Sequence, residues 1–360
     1  MNLCILFSQL VLNWYHQYGR KNLPWKKNAN PYHTWISEVM LQQTQVKTVI
    51  PYYKKFIKHF PNIKILANTS INNILNIWSG LGYYNRAHNI YYTAQIIEKK
   101  YHGQFPNHFS NIIKLPGIGR TTAGAILSFG FNFHACILDG NVKRVLLRYF
   151  SIREKTKTIT EKKLWKKIES ITPIYNTKQF NQAIIDIGAL ICVKSKPKCN
   201  ICPLKKTCAS FIKNDWSTYP YVQKKIIINQ KNIYFLIIQY QNFIFLKKNT
   251  LTGIWKGLYC FPIFYNQTEI LIWIKEKKIK LVQQEMFKSF LHKFSHLQFF
   301  CIPIRIQIKK MFYTDPSKNE IWFNMYSQED TIGLPSPIIK LFKTIFHAFI
   351  LNFKEFNQHE

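Results

Sequence analysis

Four cysteines in the middle of the chain, spaced C-x6-C-x2-C-x5-C, are the residues best suited to do chemistry. Cys192, Cys199, Cys202 and Cys208 fall within seventeen residues, and the other four cysteines are scattered. A scattered set does not indicate a disulfide framework, whereas the clustered set indicates a metal site in a reducing compartment. Zinc usually takes two separate C-x2-C pairs, while one compact loop with uneven spacing suits an iron–sulfur cube. We therefore expect a 4Fe-4S cluster.

A turn containing proline and glycine, Leu115–Arg120 (LPGIGR), is the second chemical feature. It precedes an apolar helix expected over Thr121–Phe129. Gly117 and Gly119 permit positive φ and close backbone approach, so the hairpin can offer N–H groups to a DNA phosphate. A tight turn between two helices uses the same residues. The run Leu138–Arg144 (LDGNVKR) and the four-cysteine loop follow in order, and the combination favours DNA binding.

This order of motifs resembles the endonuclease III superfamily of DNA glycosylases, and within it the MutY-type adenine DNA glycosylases. The resemblance extends over about residues 8–342, and the runs that carry it are Ser37–Val46 (SEVMLQQTQV), Gly80–Tyr84 (GLGYY), Leu138–Arg144 and Phe180–Ala183 (FNQA). Members of this family remove undamaged adenine mispaired with 8-oxoguanine. The resemblance implies a mostly α helix-hairpin-helix glycosylase region with an iron–sulfur loop, followed by an α+β Nudix-like domain.

Two carboxylates satisfy the chemistry that this resemblance implies. Cleaving an N-glycosidic bond needs an acid for the leaving purine and an anion for the charge that grows on the sugar. By resemblance, Glu38 protonates adenine N7 and then helps to activate water, Asp139 faces the oxocarbenium-like sugar, and Asn141 supports them. Taken alone, Glu38 on an apolar helix is more often salt-bridged, and an aspartate before glycine is more often a turn former.

Thr121 bears on the type of reaction. In the bifunctional enzymes that the chain resembles, a lysine after the Gly-x-Gly-Arg hairpin forms a Schiff base that leads to strand cleavage. A threonine hydroxyl cannot form an imine, so we expect hydrolysis that leaves an abasic site. Lys143, four residues beyond Asp139, can trap the opened sugar incidentally.

Further residues are expected to hold the base and the DNA. Adenine must leave the duplex before it can react, and the gap in the stack must be filled. By resemblance the adenine pocket includes Trp25, Lys26 and Gln182, and the DNA contacts include Gln43, Thr44, Leu81, Tyr83, Gly117 and Gly119. The plainer alternatives are core packing for Leu81 and Trp25, and a solvated face for Gln182 and Lys26.

The chain changes character after the cysteines, which indicates two domains. We expect a helical glycosylase region over 1–210, with the hairpin at about 111–129 and the cluster loop at 192–208, a linker over 211–228, a Nudix-like domain over 229–345, and a tail of unknown role over 346–360. The second domain lacks the acidic R-E-x-x-E-E run, so nucleotide hydrolysis is not expected. By resemblance Phe294, Ser295 and His296 contact 8-oxoguanine.

The charge balance suits a polyphosphate partner. The chain has 50 Lys+Arg against 17 Asp+Glu, a formal net charge of +33, although a biased coding composition can also inflate lysine. No apolar run approaches the ~20 residues that span a bilayer. We expect a cytoplasmic monomer acting on double-stranded DNA with A:8-oxoguanine or A:G mispairs. A pyrimidine-lesion glycosylase with lyase activity and a non-enzymatic iron–sulfur DNA-binding protein are the alternatives.

Overall fold

The structure, a computed structural model, describes residues 3–153, 156–219, 229–250, 253–294, 297–315, 317, 319–326 and 332–346. Two compact units divide the chain. The first comprises Met1–Ala67 and Tyr92–Lys225, and the second comprises Asn68–Tyr91 and Ile226–Glu360. None of the helices in the described ranges is long and apolar enough to cross a membrane.

Up to residue 219 the described chain is helical. Its α-helices are α1 (Leu3–Tyr18), α2 (Pro24–Lys27), α3 (Pro31–Leu41), α4 (Val46–His59), α5 (Ile63–Asn68), α6 (Ile71–Trp78), α7 (Asn85–Tyr101), α8 (Phe109–Ile112), α9 (Arg120–Ala125), α10 (Gly140–Tyr149), α11 (Lys157–Ile171), α12 (Thr177–Leu190) and α13 (Ala209–Ile212). A π-helical turn, Ile126–Gly130, continues α9, and short 3-10 turns cover Cys199–Ile201, Lys205–Thr207 and Trp216–Thr218.

The core of the first unit forms where α1, α10, α11 and α12 meet. Phe7 and Val11 of α1 are fully buried against apolar residues of α10 and α12, among them Leu146 and Phe180. Each helix therefore buries one apolar stripe and leaves another face for polar groups. Consequently α10 and α12, which carry Asp139 at a cap and Gln182, are fixed by the core.

The second unit is built on an eight-stranded sheet. Its strands are β1 (Asn229–Tyr240), β2 (Phe243–Lys248), β3 (Tyr259–Cys260), β4 (Ile263–Phe264), β5 (Leu281–Met286), β6 (Phe290–Lys293), β7 (Leu297–Ile308) and β8 (Glu320–Asn324), with helices α14 (Gln267–Glu276) and α15 (Ser336–Phe346). The main order is β3-β2-β1-β7-β5; β4 pairs with β1, β6 with β7, and β8 with β2.

Strands β1 and β7 are parallel at the centre of this sheet, in register from Asn229 opposite Leu297 to Gln239 opposite Gln307. The other pairs are antiparallel. Alternating apolar side chains of the central strands, such as Leu236, Ile238 and Ile304, form a core of this unit. The expected order of fold classes, a helical region and then an α+β domain, is confirmed.

Candidate active site

A large cavity in the first unit, of about 1230 Å³, brings together most of the predicted site residues of that unit. Those that line it are Trp25, Lys26, Glu38, Gln43, Thr44, Gly119, Thr121, Asp139, Asn141 and Gln182. Gly117 lies in the hairpin turn with φ 75° and is not part of this lining. Residues separated by more than a hundred positions thus share one concave surface.

Helix α3 places Glu38 at the cavity. Asn30 caps the helix by accepting a hydrogen bond from the His33 N–H at 2.8 Å, and Pro31 occupies its first turn. Glu38 shares the lining face with Thr34 and Leu41, at helical spacing. Burial, and secondarily the negative charge of Asp139, raise the pKa of Glu38 to about 8. Its carboxyl group is therefore protonated at neutral pH and can donate a proton.

Asp139 caps the N-terminus of α10. Its Oδ1 accepts from the Val142 N–H at 2.8 Å, and its Oδ2 accepts from Asn141 Nδ2 at 2.9 Å. Burial raises the pKa of Asp139 above its ordinary value, and these hydrogen bonds and the charge of Arg144 offset only part of that increase. Hydrogen bonds to the ionised form, at a helix N-terminus, favour the carboxylate. Glu38, whose pKa is raised to about 8, and Asp139, which accepts two hydrogen bonds at a helix N-terminus, therefore have different environments.

A hydrogen-bonded series connects Asp139 with the start of the cysteine loop. Asn141, which donates to Asp139, accepts from Arg144 Nη2 at 2.9 Å. Arg144 also donates through Nη2 to the Gly188 carbonyl at 2.6 Å and through Nε to the Cys192 carbonyl at 2.7 Å. Asn141 therefore has both ends of its amide occupied, and its orientation beside the carboxylate is fixed.

Thr121 lies in the first turn of α9, where its Oγ1 donates to the Leu138 carbonyl at 3.0 Å. This bond ties the hairpin helix to the residue that precedes Asp139. Thr121 thus lines the cavity as a neutral hydroxyl whose proton is already engaged. No imine-forming amine stands at this position, which fits hydrolysis rather than Schiff-base chemistry.

The Gln182 end of the cavity contains groups that sequence analysis missed. Tyr15 of α1 donates a short hydrogen bond to Gln182 Oε1, and Asp186 follows Gln182 by one helical turn. Asp186 is 2% exposed and accepts from the Arg20 backbone N–H and from Nε, each at 2.9 Å, and from Nη2 at 2.6 Å. Lys26 Nζ lies 3.8 Å from the same carboxylate. A buried acidic residue thus holds the two cations that border the predicted adenine pocket.

A signal for Asp186 exists in the sequence. Positions 182, 185, 186 and 189 all line the cavity, and they follow the i, i+3, i+4, i+7 spacing of one helix face. An acidic residue one turn after Gln182, in a chain with only 17 carboxylates, is therefore placed toward the same surface. The partners Tyr15 and Arg20 lie on a distant segment and carry no such signal.

The four cysteines of the predicted cluster surround a second, smaller cavity in the first unit. Cys192, Cys199, Cys202 and Cys208 line it together with Arg148, Phe211 and Trp216, among others. Burial raises the pKa values of Cys199, Cys202 and Cys208, and the neighbouring thiols reinforce the increase. Within the described residues no group of three or more His, Cys, Asp or Glu is arranged to hold a metal ion. Four thiols around one cavity are the set of donors that an iron–sulfur cluster takes.

Arg148 supplies a buried positive charge at this cavity. It is 3% exposed, and its Nη1 lies 3.4 Å from Cys192 Sγ. The guanidinium also donates to the carbonyls of Val193 at 2.7 Å and Lys194 at 3.0 Å, so it fixes the path of the loop. A cation at this place suits thiolate ligands, which carry negative charge.

The remaining predicted residues lie in the second unit. Leu81 is buried, whereas Tyr83 is exposed and adopts φ 51°. Phe294 packs against Trp255, with ring centroids 5.7 Å apart, and against Phe299 at 5.3 Å. Ser295 and His296 lie outside the described residues. In the first unit, Gln43 shares the unusual backbone of Tyr83, with φ 58°. Such conformations cost energy in residues other than glycine and concentrate at functional sites.

Comparisons with known proteins identify the family of the chain. Residues 36–170 match the family of HhH-GPD superfamily base excision DNA repair proteins, and residues 233–344 match the NUDIX domain. The chain is 55% identical over 356 residues to the adenine DNA glycosylase of Buchnera aphidicola subsp. Baizongia pistaciae, covering 99% of both proteins.

More distant relatives match a little over half of the chain. The mouse adenine DNA glycosylase is 37% identical over 215 residues, which cover 57% of this chain and 42% of the mouse protein. A thermostable thymine-DNA glycosylase is similar in structure, with a TM-score of 0.55 and 28% identity, over 58% of this chain and 97% of that one. Since the similarity to an adenine DNA glycosylase extends over nearly the whole sequence, the chain belongs to the MutY-type adenine DNA glycosylases of the helix-hairpin-helix superfamily.

Proposed function

We propose that this protein hydrolyses the N-glycosidic bond of adenine mispaired with 8-oxoguanine or guanine in double-stranded DNA and leaves an abasic site. The observation that carries the proposal is the pairing of Glu38 and Asp139 in one cavity, with environments that separate an acid from an anion. The enzyme is proposed to act as a cytoplasmic monomer on chromosomal DNA. Its excess of basic residues supports binding to the phosphate backbone.

The proposed reaction begins with proton transfer from Glu38 to adenine N7, which makes the purine a better leaving group. Asp139, whose carboxyl group accepts hydrogen bonds from Val142 and Asn141, is proposed to stabilise the positive charge on the departing sugar as the anion. Glu38, now ionised, then accepts a proton from the attacking water. Thr121 does not form an imine, so the proposed enzyme is monofunctional.

The remaining predicted residues receive supporting roles in this proposal. Trp25, Lys26 and Gln182 line the cavity with Glu38, and they are proposed to hold the extruded adenine. Gln43, Thr44, Leu81 and Tyr83 are proposed to contact the strands and fill the gap, with Gly117 and Gly119 presenting backbone N–H groups to a phosphate. Phe294, Ser295 and His296 are proposed to read 8-oxoguanine from the domain at 229–345.

The four cysteines are proposed to hold a 4Fe-4S cluster. When bound, the cluster supplies a rigid centre for the loop 192–208 and no acid or nucleophile. The loop carries Lys194, Lys196, Lys198, Lys205 and Lys206, so its shape determines how these charges meet a DNA backbone. Arg148, buried beside Cys192, is suited to balance the negative charge of such a cluster.

A single-turnover assay tests the proposal. The full-length protein should release adenine from an A:8-oxoguanine duplex and break the strand only after alkali treatment. Asp139→Asn should slow release at least ~100-fold while duplex binding persists, because it removes the anion. Strand breakage without alkali would instead favour the bifunctional alternative, and binding without base release would favour the non-enzymatic one.

Glu161→Gln provides a matched control for the carboxylate variant. Glu161 lines the same cavity, but its side chain is 52% exposed and pairs with Lys143 at 2.7 Å. Exposed ion pairs contribute little, so this variant should keep the wild-type rate within about twofold. An equal loss in the Asp139 and Glu161 variants would show that general cavity charge, and not the proposed anion, governs the rate.

A further inference from the structure

Residues 68–91 form one compact unit with the C-terminal sheet domain. This segment carries Leu81 and Tyr83, and the loop Ser79–Tyr84 that holds them is here called the wedge loop. The run Gly253–Pro262 of the second unit has no assigned role in the proposed chemistry. Contacts between these parts of the second unit indicate what that run and its neighbours do.

Two side chains at the ends of the wedge loop form hydrogen bonds with the backbone of Leu334. The Leu334 N–H donates to Ser79 Oγ at 3.0 Å, and Tyr84 Oη donates to the Leu334 carbonyl at 3.1 Å. Tyr84 Oη also accepts from the Gly80 N–H at 3.1 Å. Ser79, Tyr84 and Leu334 are 2%, 8% and 1% exposed. Because water is excluded here, a lost partner leaves a polar group unsatisfied. These contacts are called the Leu334 clasp.

A second contact joins the same segments through the turn at Trp255–Gly257. The His88 ring, through Nε2, hydrogen-bonds to the Lys256 carbonyl at 3.2 Å. Gly257 has φ 77°, and a Cβ atom there would lie 3.1 Å from the His88 ring and 3.2 Å from the side chain of Leu75. A side chain at this position would be strained by the positive φ, and its Cβ would press on His88 and Leu75. Trp255, which begins the turn, packs on Phe294.

The wedge loop has a conformation that needs external support. Gly80, Gly82 and Tyr83 all have positive φ, at 93°, 78° and 51°. The Gly82 carbonyl is held by Trp78 Nε1 and by Arg86 Nη2, each at 3.1 Å. A tyrosine in the left-handed region persists only where its surroundings fix it. Trp78 and Arg86 therefore stabilise the loop through the Gly82 carbonyl, and the Leu334 clasp stabilises it through the C-terminal domain.

We propose that the Leu334 clasp and the Trp255–Gly257 turn are positioning elements through which the C-terminal domain sets the wedge loop. Leu81 and Tyr83 belong to the same compact unit as Phe294, so the part of the protein that is proposed to meet the lesion also orients the groups that are proposed to enter the stack. This inference rests on the proposed function for its consequence in DNA, although the clasp itself is a property of the free protein.

The test is the double variant Ser79→Ala with Tyr84→Phe in the full-length protein. It removes both side-chain partners of Leu334 and keeps the aromatic ring of Tyr84. Amide hydrogen exchange at Gly80–Tyr84 should accelerate about five- to tenfold in the free protein, as expected for the loss of buried hydrogen bonds. With 2-aminopurine opposite 8-oxoguanine, the fluorescence rise that reports base extrusion should slow by a similar factor, with its amplitude unchanged.

Asn72→Ala is the matched control. Asn72 Oδ1 accepts from Lys248 Nζ at 2.8 Å, so this variant also breaks a hydrogen bond between residues 68–91 and the sheet domain, but outside the loop. Its exchange and extrusion rates should equal those of the wild type. If circular dichroism shows that the double variant has lost much of its structure, Tyr84→Phe alone is used instead. It should accelerate exchange and slow extrusion in the same directions, by smaller factors.

Three outcomes separate the inference from the function on which it rests. Unchanged exchange at Gly80–Tyr84 in a folded variant would overturn the clasp as a positioning element, whatever the enzyme's activity. Faster exchange with an unchanged rate of base extrusion would overturn the claim that the conformation of the wedge loop affects extrusion. A wild-type protein that releases no adenine would refute the proposed function, and the exchange measurement would still decide the clasp.

Discussion

Replacing Glu38 with glutamine should stabilise the protein and abolish most of its activity. Burial and the nearby Asp139 raise the pKa of Glu38 from 4.5 to about 8. In the unfolded chain this carboxyl loses its proton near its ordinary pKa, whereas in the folded protein it keeps the proton up to about pH 8. The unfolded state therefore binds fewer protons between these values, and stability falls as pH rises through this window.

The magnitude follows from the size of that shift. Each pKa unit corresponds to about 1.4 kcal/mol. The raised pKa of Glu38 therefore lowers the free energy of unfolding by about 4 kcal/mol near pH 7.5, and by less than about 1 kcal/mol near pH 5. Glutamine has nearly the same shape and no proton to lose. Glu38→Gln should therefore gain stability over the wild type near pH 7.5, and most of the gain should vanish near pH 5.

Urea unfolding at the two pH values measures this difference. Single-turnover adenine release on the same samples should fall at least ~100-fold in the variant, because the acid is gone. In the wild type, release should decline about tenfold per pH unit above about pH 8, as Glu38 ionises. A stability difference that is the same at both pH values, or a variant less stable at both, would refute the raised pKa. Glu161→Gln, at an exposed and paired carboxylate, should show little change at either pH.

Three further predictions test the cluster, the adenine pocket and the lesion reader. Cys199→Ser should lose the brown iron–sulfur absorbance and weaken DNA binding, and stoichiometric zinc without iron in anaerobically purified wild type would contradict the cluster. Tyr15→Phe should slow adenine release about three- to tenfold by freeing the Gln182 amide, and this effect should disappear in a Gln182→Ala background; additive losses would contradict the coupling. Ser295→Ala with His296→Ala should reduce the preference for A:8-oxoguanine over A:G by roughly 1–3 kcal/mol, and unchanged discrimination would remove these residues from recognition.

Local patterns predicted the elements that carry the chemistry. The apolar helix expected over Thr121–Phe129 corresponds to α9 and the π-helical turn that continues it. The α+β domain expected after the cysteines contains the eight-stranded sheet. Sequence motifs also predicted that Glu38 and Asp139 act together, although only the fold shows that they share a cavity.

Tertiary contacts account for what the sequence did not reveal. Tyr15 meets Gln182 across 167 positions, and Arg20, two residues after the end of α1, meets Asp186 across 166, because α1 packs against α12. No periodicity within either helix encodes that pairing. The union of residues 68–91 with the C-terminal sheet was likewise not predicted, since the Leu334 clasp uses backbone groups that any residue at position 334 supplies. Patterns of side chains identify faces, but they do not identify which distant backbone a face meets.

Helix α10 unites the proposed anion and the proposed cluster loop in one rigid element. Asp139 caps its first turn, Arg144 one and a half turns later donates to the Cys192 carbonyl, and Arg148 one turn beyond lies against Cys192 Sγ. The helix N-terminus favours negative charge at Asp139. Arg144 and Arg148, on the same helix, hold the start of the cysteine loop through their contacts with Cys192. A distortion of the cysteine loop therefore reaches Arg144 first, then Asn141, whose amide orients the carboxylate. Loss of the cluster should thus reduce the rate of base release as well as DNA affinity, although no cysteine touches the reacting sugar in the proposed mechanism.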